Sequence, residues 1–332
     1  MAKRPSSTTT SGKTTRSVLA QRIGIVGLGL MGRGIASCLL AHGFEVVGFD
    51  IRGVQRKGSL RHISHALTEL HTRKLLSARR LANWQQRYRI VTSPDDLAEC
   101  SLVIESVAED LELKRCIYTQ LESVLPAKAI IASNTSSLPI TSLQEGRQHP
   151  SRMIGMHWGE PAEIMHYLEI IPGQHTAPSV VRYAENFGRS CGKEPVVLKQ
   201  DIRGFLSNRL MYAMMREACH LVEAGIADIA DVDRSFRNDI GWWALLAGPF
   251  RWMDLTGIPA YAAVMEGLLP ELSNTKTVPE IMKQMLKKKK AEGISNRNGF
   301  YPYTQSSAKR WKQEWVDFTY DMKRLAEKYK VD

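Results

Sequence analysis

The chain has 332 residues, 43% hydrophobic and 24% charged, a composition that fits a soluble globular protein of two domains and excludes a disordered or fibrous one. Its 45 Lys+Arg against 34 Asp+Glu give a formal net charge of +11. No stretch approaches the ~20 apolar residues of a membrane span, and the five scattered cysteines (Cys38, Cys100, Cys116, Cys191, Cys219) include no C-x-x-C pair, so neither a membrane protein, a disulfide framework nor a metal site is expected.

The positive excess sits at the two ends. Residues Met1 to Arg16 carry Lys3, Arg4, Lys13 and Arg16, no acid, and runs of Ser and Thr. Such a segment buries too little apolar surface to offset its ordering entropy, so residues 1–20 are expected to be a disordered basic tail. A matrix-targeting peptide would show an amphipathic apolar face, and none precedes Val18, so the cytoplasm is the expected location and the mitochondrial matrix the alternative. Lys287 to Lys290 and the region Ala308 to Lys330 supply the rest, read as solvated helix faces in preference to a nucleic-acid surface.

Arg22-Ile23-Gly24-Ile25-Val26 reads as a buried strand ending at Gly27-Leu28-Gly29-Leu30-Met31-Gly32. A helical pattern follows (Ile35, Ala36, Leu39, Leu40) and stops at His42-Gly43; a second strand, Phe44 to Phe49, ends in Asp50. Each part has a use in holding a dinucleotide. Gly27 permits the tight turn, Gly29 lets the backbone approach a pyrophosphate, and Gly32 allows close helix packing. The anion then sits on the helix N-terminus, and Asp50, 23 positions after the first glycine, is placed for a ribose. A carboxylate repels a 2′-phosphate, so Asp50 favours NAD over NADP.

From Gly53 to Tyr88 the chain is rich in helix formers, with Leu67, Leu70, Leu75 and Leu81 at helical spacings and the cations Arg73, Lys74, Arg79 and Arg80, suited either to solvent or to a phosphate-bearing substrate. Ser101 to Glu105 and Ala129 to Ser133 read as buried parallel strands flanking a helix over Leu111 to Leu125. The hydroxyl-rich Ser133-Asn134-Thr135-Ser136-Ser137 leaves the last of them on the ligand side of an open α/β sheet, unless it only caps the helix after Leu138.

These segments, with Ser106-Val107-Ala108-Glu109-Asp110, Gly155-Met156-His157, Leu168-Glu169-Ile170, Asp201 to Leu210, Gly248-Pro249-Phe250 and Gly299-Phe300-Tyr301, resemble the 3-hydroxyacyl-CoA dehydrogenase family, in its order, from Arg22 to about Tyr303. The resemblance implies an α/β Rossmann domain over residues 21–200, doubly wound on a mostly parallel sheet, followed by an all-α domain over 201–304 through which the family dimerises. It implies His157 as general base, Glu169 as its orienting carboxylate, and Ser136 and Asn208 as hydrogen-bond partners of the reacting oxygen, these two also binding substrate. NAD would be held by Gly27, Leu28, Gly29, Met31, Gly32, Asp50, Glu109, Lys114 and Glu160, and an acyl-CoA thioester would meet Arg73 and Lys74. β-formers on both sides of Gly159-Glu160-Pro161 are compatible with a hairpin that joins His157 to Glu169.

Three departures bear on the substrate. Glu160 replaces an asparagine that usually helps place nicotinamide, and a carboxylate accepts hydrogen bonds without donating them. Ala66 stands where a CoA-contacting serine is usual, and Arg73 where a lysine is. Ile240 to Phe250 is similar to the branch of lambda-crystallin and carnitine dehydrogenase, which act on free 3-hydroxy acids, although Trp242 takes the place of that branch's arginine. Oxidation of a short (S)-3-hydroxyacyl-CoA is the first expectation and of a free 3-hydroxy acid the alternative; a non-catalytic dinucleotide-binding protein comes third. Trp242 and Trp243 otherwise read as core filling. Past Thr304, Trp311, Trp315, Phe318, Met322, Leu325 and Tyr329 recur at helical spacing, which predicts an added helix over 305–332 docking by that stripe.

Overall fold

The computed structural model describes residues 21–329, so the basic tail expected over residues 1–20 lies outside the described residues. The chain forms two compact units, one reaching Asn208 and the other starting at Arg209.

The first unit runs β1 (Arg22–Val26), α1 (Leu30–His42), β2 (Glu45–Phe49), α2 (Gly53–Thr72), α3 (Ala78–Ala82), β3 (Tyr88–Val91), β4 (Leu102–Glu105), α4 (Leu111–Val124), β5 (Ile130–Ser133), α5 (Ile140–Gln144), β6 (Met153–Trp158), β7 (Tyr167–Pro172), α6 (Pro178–Ser190) and β8 (Glu194–Val197). The eight strands form one sheet in the order β3-β2-β1-β4-β5-β6-β7-β8, in which only β6 and β7 pair antiparallel. This is the doubly wound α/β architecture read from the sequence. β1, β4 and β5 are apolar and almost wholly buried, as strands covered by helices on both faces must be. Strand order reverses between β1 and β4, and the crevice beyond their carboxyl ends is where such sheets bind ligands.

Strand β3 is an addition to the sequence reading, which carried the helical excursion up to Tyr88. It is a four-residue edge strand with Arg89 exposed, too short and too polar to stand out from the helix formers before it. Gly43 ends α1 in the left-handed region, at φ +96°, donating its N–H to Leu39 and Leu40 carbonyls. Arg80 and Arg87 donate to the carbonyls of Ala41 and Leu40 and so complete the same cap.

The second unit is all helical, as expected: α7 (Ser207–Glu223), which begins at the junction, then α8 (Ile229–Asn238), α9 (Ile240–Trp243), α10 (Pro249–Thr256), α11 (Ile258–Leu268), α12 (Glu280–Lys289) and α13 (Gln305–Lys328). None of the described helices is long and apolar enough to cross a membrane. A capping box of Thr304 and Ser307 starts α13, so the added helix is present. Its buried residues, however, are Ala308, Thr319 and Tyr320, while Trp311, Trp315, Phe318, Leu325 and Tyr329 stay about half exposed. The docking stripe is therefore corrected: spacing showed which residues share a face, not what covers it. Trp242 is likewise no core filler, being 80% exposed, while Trp243 stacks on Trp252 with centroids 5.4 Å apart.

Candidate active site

The turn from β1 to α1 is built by glycine. Gly27 sits at φ +90°, its N–H on the Phe49 carbonyl, and a β-carbon there would meet the Ser106 carbonyl oxygen at 2.6 Å. A β-carbon at Gly32 would lie 1.8 Å from the Gly27 oxygen, so α1 packs directly on the turn. Gly29, the N-cap of α1, has nothing within 4 Å of its β-carbon position. No side chain caps α1 and no acid lies in its first turn, which leaves its N-terminal N–H groups and dipole for an anion. Asp50, 5% exposed, closes the turn by accepting from Leu28 N at 2.9 Å and Arg52 N at 2.8 Å. The Leu28 side chain is buried in the core and Met31 half buried on the first helical turn. Open backbone at Gly29, free N–H groups and a carboxylate at the end of β2 fit the pyrophosphate and ribose of NAD.

Below the crevice a buried carboxylate organises the next two loops. Glu105, at the end of β4, accepts from Val107 N (2.8 Å), Lys114 Nζ (2.7 Å), Tyr118 OH (2.5 Å) and Ser133 Oγ (2.8 Å). Burial and this carboxylate push the Tyr118 phenol well up, so it stays protonated and donates. Lys114, enclosed at 1% side-chain exposure, also lies 3.5 Å from Glu109 Oε2. Glu109 Oε1 in turn gathers the serine loop, accepting from Thr135 Oγ1 (2.6 Å), Ser136 N (3.0 Å), Ser137 N (2.9 Å) and Ser137 Oγ (3.1 Å). Burial acts to raise its carboxyl, but Thr135, Lys114 and Ser137 hold it below the usual carboxylate value. The loop is not a cap: Pro139 occupies the N-cap of α5, with no side-chain hydrogen bond.

His157 lies near the carboxyl end of β6, the strand beside β5 in the same parallel run, so it reaches the edge of the sheet that carries the glycine turn. β7 returns antiparallel with Glu169 directly opposite His157, and directly opposite residues share a face. The ring Nδ1 lies 2.9 Å from Glu169 Oε2, with Glu169 1% exposed and His157 8%. Glu169 Oε1 accepts from Leu206 N (2.9 Å) and Ser207 N (3.0 Å) at the start of α7. Burial acts to raise Glu169, yet His157, Tyr167 and the amides of Ser207 and Leu206 hold it below the usual value, as an anion. That fixes Nδ1 of His157 as donor and leaves Nε2 with its lone pair. One residue on, Asn208 Nδ2 donates to the Ser136 carbonyl at 2.7 Å. The segment 206–208 therefore touches both the carboxylate behind His157 and the serine loop.

The structure thus joins His157 to Glu169, Ser136 to Asn208, and Glu109 to Lys114 and Ser136. Glu160 is exposed on the hairpin turn. Arg73 and Lys74 follow α2: Arg73 Nε donates to Glu69 Oε1 at 2.7 Å, and Lys74 is exposed in the left-handed region at φ 64°. Among the described residues no group of His, Cys, Asp or Glu could hold a metal ion. Sequence reasoning missed Glu105, Thr135 and Tyr167. Glu105 carried a signal, an acid closing an apolar strand; Thr135 is defined by Glu109, 26 residues earlier, and Tyr167 by the hairpin that brings it to His157.

Two family models match the chain: 3-hydroxyacyl-CoA dehydrogenase, NAD binding domain, over residues 22–202, and 3-hydroxyacyl-CoA dehydrogenase, C-terminal domain, over residues 204–303. A 5-formyl-3-hydroxy-2-methylpyridine 4-carboxylate 5-dehydrogenase of Mesorhizobium japonicum is 35% identical over 233 residues, 70% of this chain and 75% of that protein. A crystal structure of an enzyme of that name, described as an NAD+ dependent dismutase, superposes with a TM-score of 0.86 at 32% identity, covering 93% of this chain and 99% of the other. A 3-hydroxybutyryl-CoA dehydrogenase of Bradyrhizobium diazoefficiens is 29% identical over 287 residues, 86% of this chain and 97% of that protein. The crystal structure of (S)-3-hydroxybutyryl-CoA dehydrogenase from Ralstonia eutropha gives a TM-score of 0.72 at 30% identity, covering 86% of this chain and 100% of the other.

Proposed function

The chain belongs to the 3-hydroxyacyl-CoA dehydrogenase family, whose members are NAD-dependent oxidoreductases acting on CH–OH, and from that premise we propose that its substrate is a small free hydroxy acid, or an aldehyde acid taken as its hydrate, whose carbon then bears both the hydroxyl and the hydride. The observation that carries this reading is the likeness to the pyridine-carboxylate enzyme, at a TM-score of 0.86 over 93% of the chain, against 0.72 over 86% for the 3-hydroxybutyryl-CoA enzyme of Ralstonia eutropha. The wider span leaves room for α13, which lies beyond the family model's end at residue 303. On α2, Ala66 is buried and Arg73 is engaged by Glu69, which removes two of the groups that would meet coenzyme A. A thioester remains the second reading, favoured by the exposed cations Lys57, Arg61, Lys74 and Arg79 on and after α2, which suit a phosphate-bearing tail.

Glu169 holds the imidazole with Nδ1 as donor, so Nε2 of His157 takes the proton of the substrate hydroxyl and returns it in the reverse direction. When bound, NAD would supply the hydride acceptor for the carbon that bears this hydroxyl. The carboxylate opposite stabilises the imidazolium formed at His157. The Ser136 hydroxyl and the second N–H of Asn208 Nδ2 donate to the reacting oxygen, the first N–H of that amide being held on the Ser136 carbonyl. The cofactor would be held at Gly27, Gly29, Gly32 and the Asp50 carboxylate, while Glu109 and Lys114 fix the serine loop. Glu160 faces solvent on the hairpin turn and accepts from whatever donor the substrate or carboxamide presents.

The test is NADH formation or loss with matched free and thioester substrates: 3-hydroxybutyrate, carnitine, gulonate and 5-formyl-3-hydroxy-2-methylpyridine 4-carboxylate on one side, 3-hydroxybutyryl-CoA and acetoacetyl-CoA on the other. Saturable turnover confined to a free acid is the expected result. Saturable turnover confined to the thioesters overturns the free-acid reading in favour of the second.

A further inference from the structure

The second unit holds a cavity of about 250 Å³ between one face of α7 and the stretch that leads into α12. Arg216, His220 and Glu223 stand at i, i+4 and i+7, so they share that face of the helix. Two carboxylates of α7 tie down the stretch opposite. Glu217 Oε2 accepts from Ser273 N at 2.8 Å, and Glu223 Oε1 accepts from Ile281 N at 2.7 Å.

Between those two anchors the walls are rich in donors. Arg216 and Lys283 bring cations, His220 an imidazole N–H, and Ser273, Thr275 and Thr277 hydroxyls. The Thr275 and Thr277 hydroxyls lie 3.3 Å apart, so one donates to the other and the second keeps its proton for another acceptor. Pro279, the N-cap of α12, has no side chain to bond the first amides of that helix, whose positive end borders the same cavity. Acceptors are fewer. Glu223 is committed to Ile281 N, and Glu280 lies 3.5 Å from Lys283 Nζ, an ammonium with two further protons to give. Arg216 Nε, by contrast, is buried with no hydrogen-bond partner among the described residues. A buried donor on a permanent cation is rarely left unpaired, so this wall calls for an acceptor.

We propose that this cavity binds a small phosphate-bearing anion. Donors meet it from three sides, α7, the hydroxyl stretch and the start of α12, which suits a tetrahedral group with oxygens all round better than a planar carboxylate. The volume lies below the roughly 300–1,000 Å³ of sites for drug-sized ligands, so the ligand is a phosphate carrying at most a short organic group. None of the walls is a residue of the first unit, so binding here needs neither the glycine turn nor His157.

The test is equilibrium dialysis of radiolabelled inorganic phosphate against the full-length protein at constant ionic strength, with saturating NADH so that the anion position at α1 is already filled. Saturable binding of one phosphate per chain is expected. Arg216→Gln is expected to weaken it by about tenfold or more, the loss of one charge-assisted hydrogen bond. Lys283→Gln alters a half-exposed side chain that the fold does not need, and is expected to weaken phosphate by about threefold or more while NADH affinity and far-UV circular dichroism stay at wild-type values. This second variant decides the matter if Arg216→Gln does not fold. Labelled acetate is expected to bind at least about tenfold more weakly than phosphate. No saturable phosphate binding, or binding unchanged in the folded variants, overturns the site. Acetate bound as tightly as phosphate overturns the phosphate class.

Discussion

At the scale of single residues, the bonding of Glu169 decides what the imidazole can do. Oε2 meets His157 Nδ1 at 2.9 Å, and Oε1 is held by two amides, Leu206 N at 2.9 Å and Ser207 N at 3.0 Å. A glutamine of the same shape has one oxygen to offer. Two fixed N–H donors claim it, which turns its NH2 toward Nδ1 and forces His157 to accept there. The ring proton then moves to Nε2, where the base's lone pair is needed, and the acid partner of the imidazolium is gone as well. Glu169→Gln is therefore expected to lower kcat by about 10²- to 10⁴-fold, the range of general-base catalysis. NADH affinity, read by fluorescence titration, is expected to stay at the wild-type value, because the glycine turn and Asp50 are untouched. A kcat within twofold of wild type would take Glu169 out of the mechanism.

At the scale of elements, two glycines on one turn make different predictions. Around Gly29 the β-carbon position is empty to 4 Å and the backbone is extended at φ −66°, so alanine there leaves the unliganded fold as it is and intrudes only where the pyrophosphate approaches. Around Gly32 the β-carbon would lie 1.8 Å from a backbone oxygen, which cannot swing aside, so the turn and α1 must separate. Gly29→Ala is expected to weaken NADH by at least about tenfold with an unchanged Tm, the cost of one displaced contact of ~1.4 kcal/mol. Gly32→Ala is expected to lower both. Equal NADH affinity in Gly29→Ala and wild type would place the pyrophosphate elsewhere. This turn was legible in the sequence because each requirement is local: a buried apolar run, glycines at fixed offsets and an acid at the next strand's end. The hairpin was legible for the same reason, β-formers on both sides of Gly159-Glu160-Pro161, although its register, which sets His157 against Glu169, is seen only in the sheet. Tyr167, Thr135 and Glu105 act through partners that no local pattern reports. Strand β3 escaped because four residues with an exposed arginine carry almost no period.

At the scale of the whole molecule, the second unit keeps apolar surface that a solitary chain would leave in water. Neither α7, α8, α10 nor α11 has a buried residue, and Leu210, Tyr212, Phe250 and Leu255 are more than 60% exposed. Along α13 the half-exposed Trp311, Trp315 and Phe318 add to it. The helical spacing in the sequence identified the α13 face as apolar, and its cover is where that reading stopped. Burying a Leu, Phe or Met side chain contributes about 1.5–3 kcal/mol, so a few such residues covered by a second copy suffice to hold two chains together. We expect the protein to sediment at about twice its 37.3 kDa chain mass. Leu210 and Met214, exposed one helical turn apart on α7, share a face and offer the means to test where the chains meet. Leu210→Glu with Met214→Glu places two carboxylates on that face, and the mass is expected to fall to that of one chain while far-UV circular dichroism keeps its helical signal. Wild-type protein sedimenting as a single 37.3 kDa chain would overturn the dimer. A variant still at twice that mass would move the contact from α7 to the other exposed helices, α13 first among them.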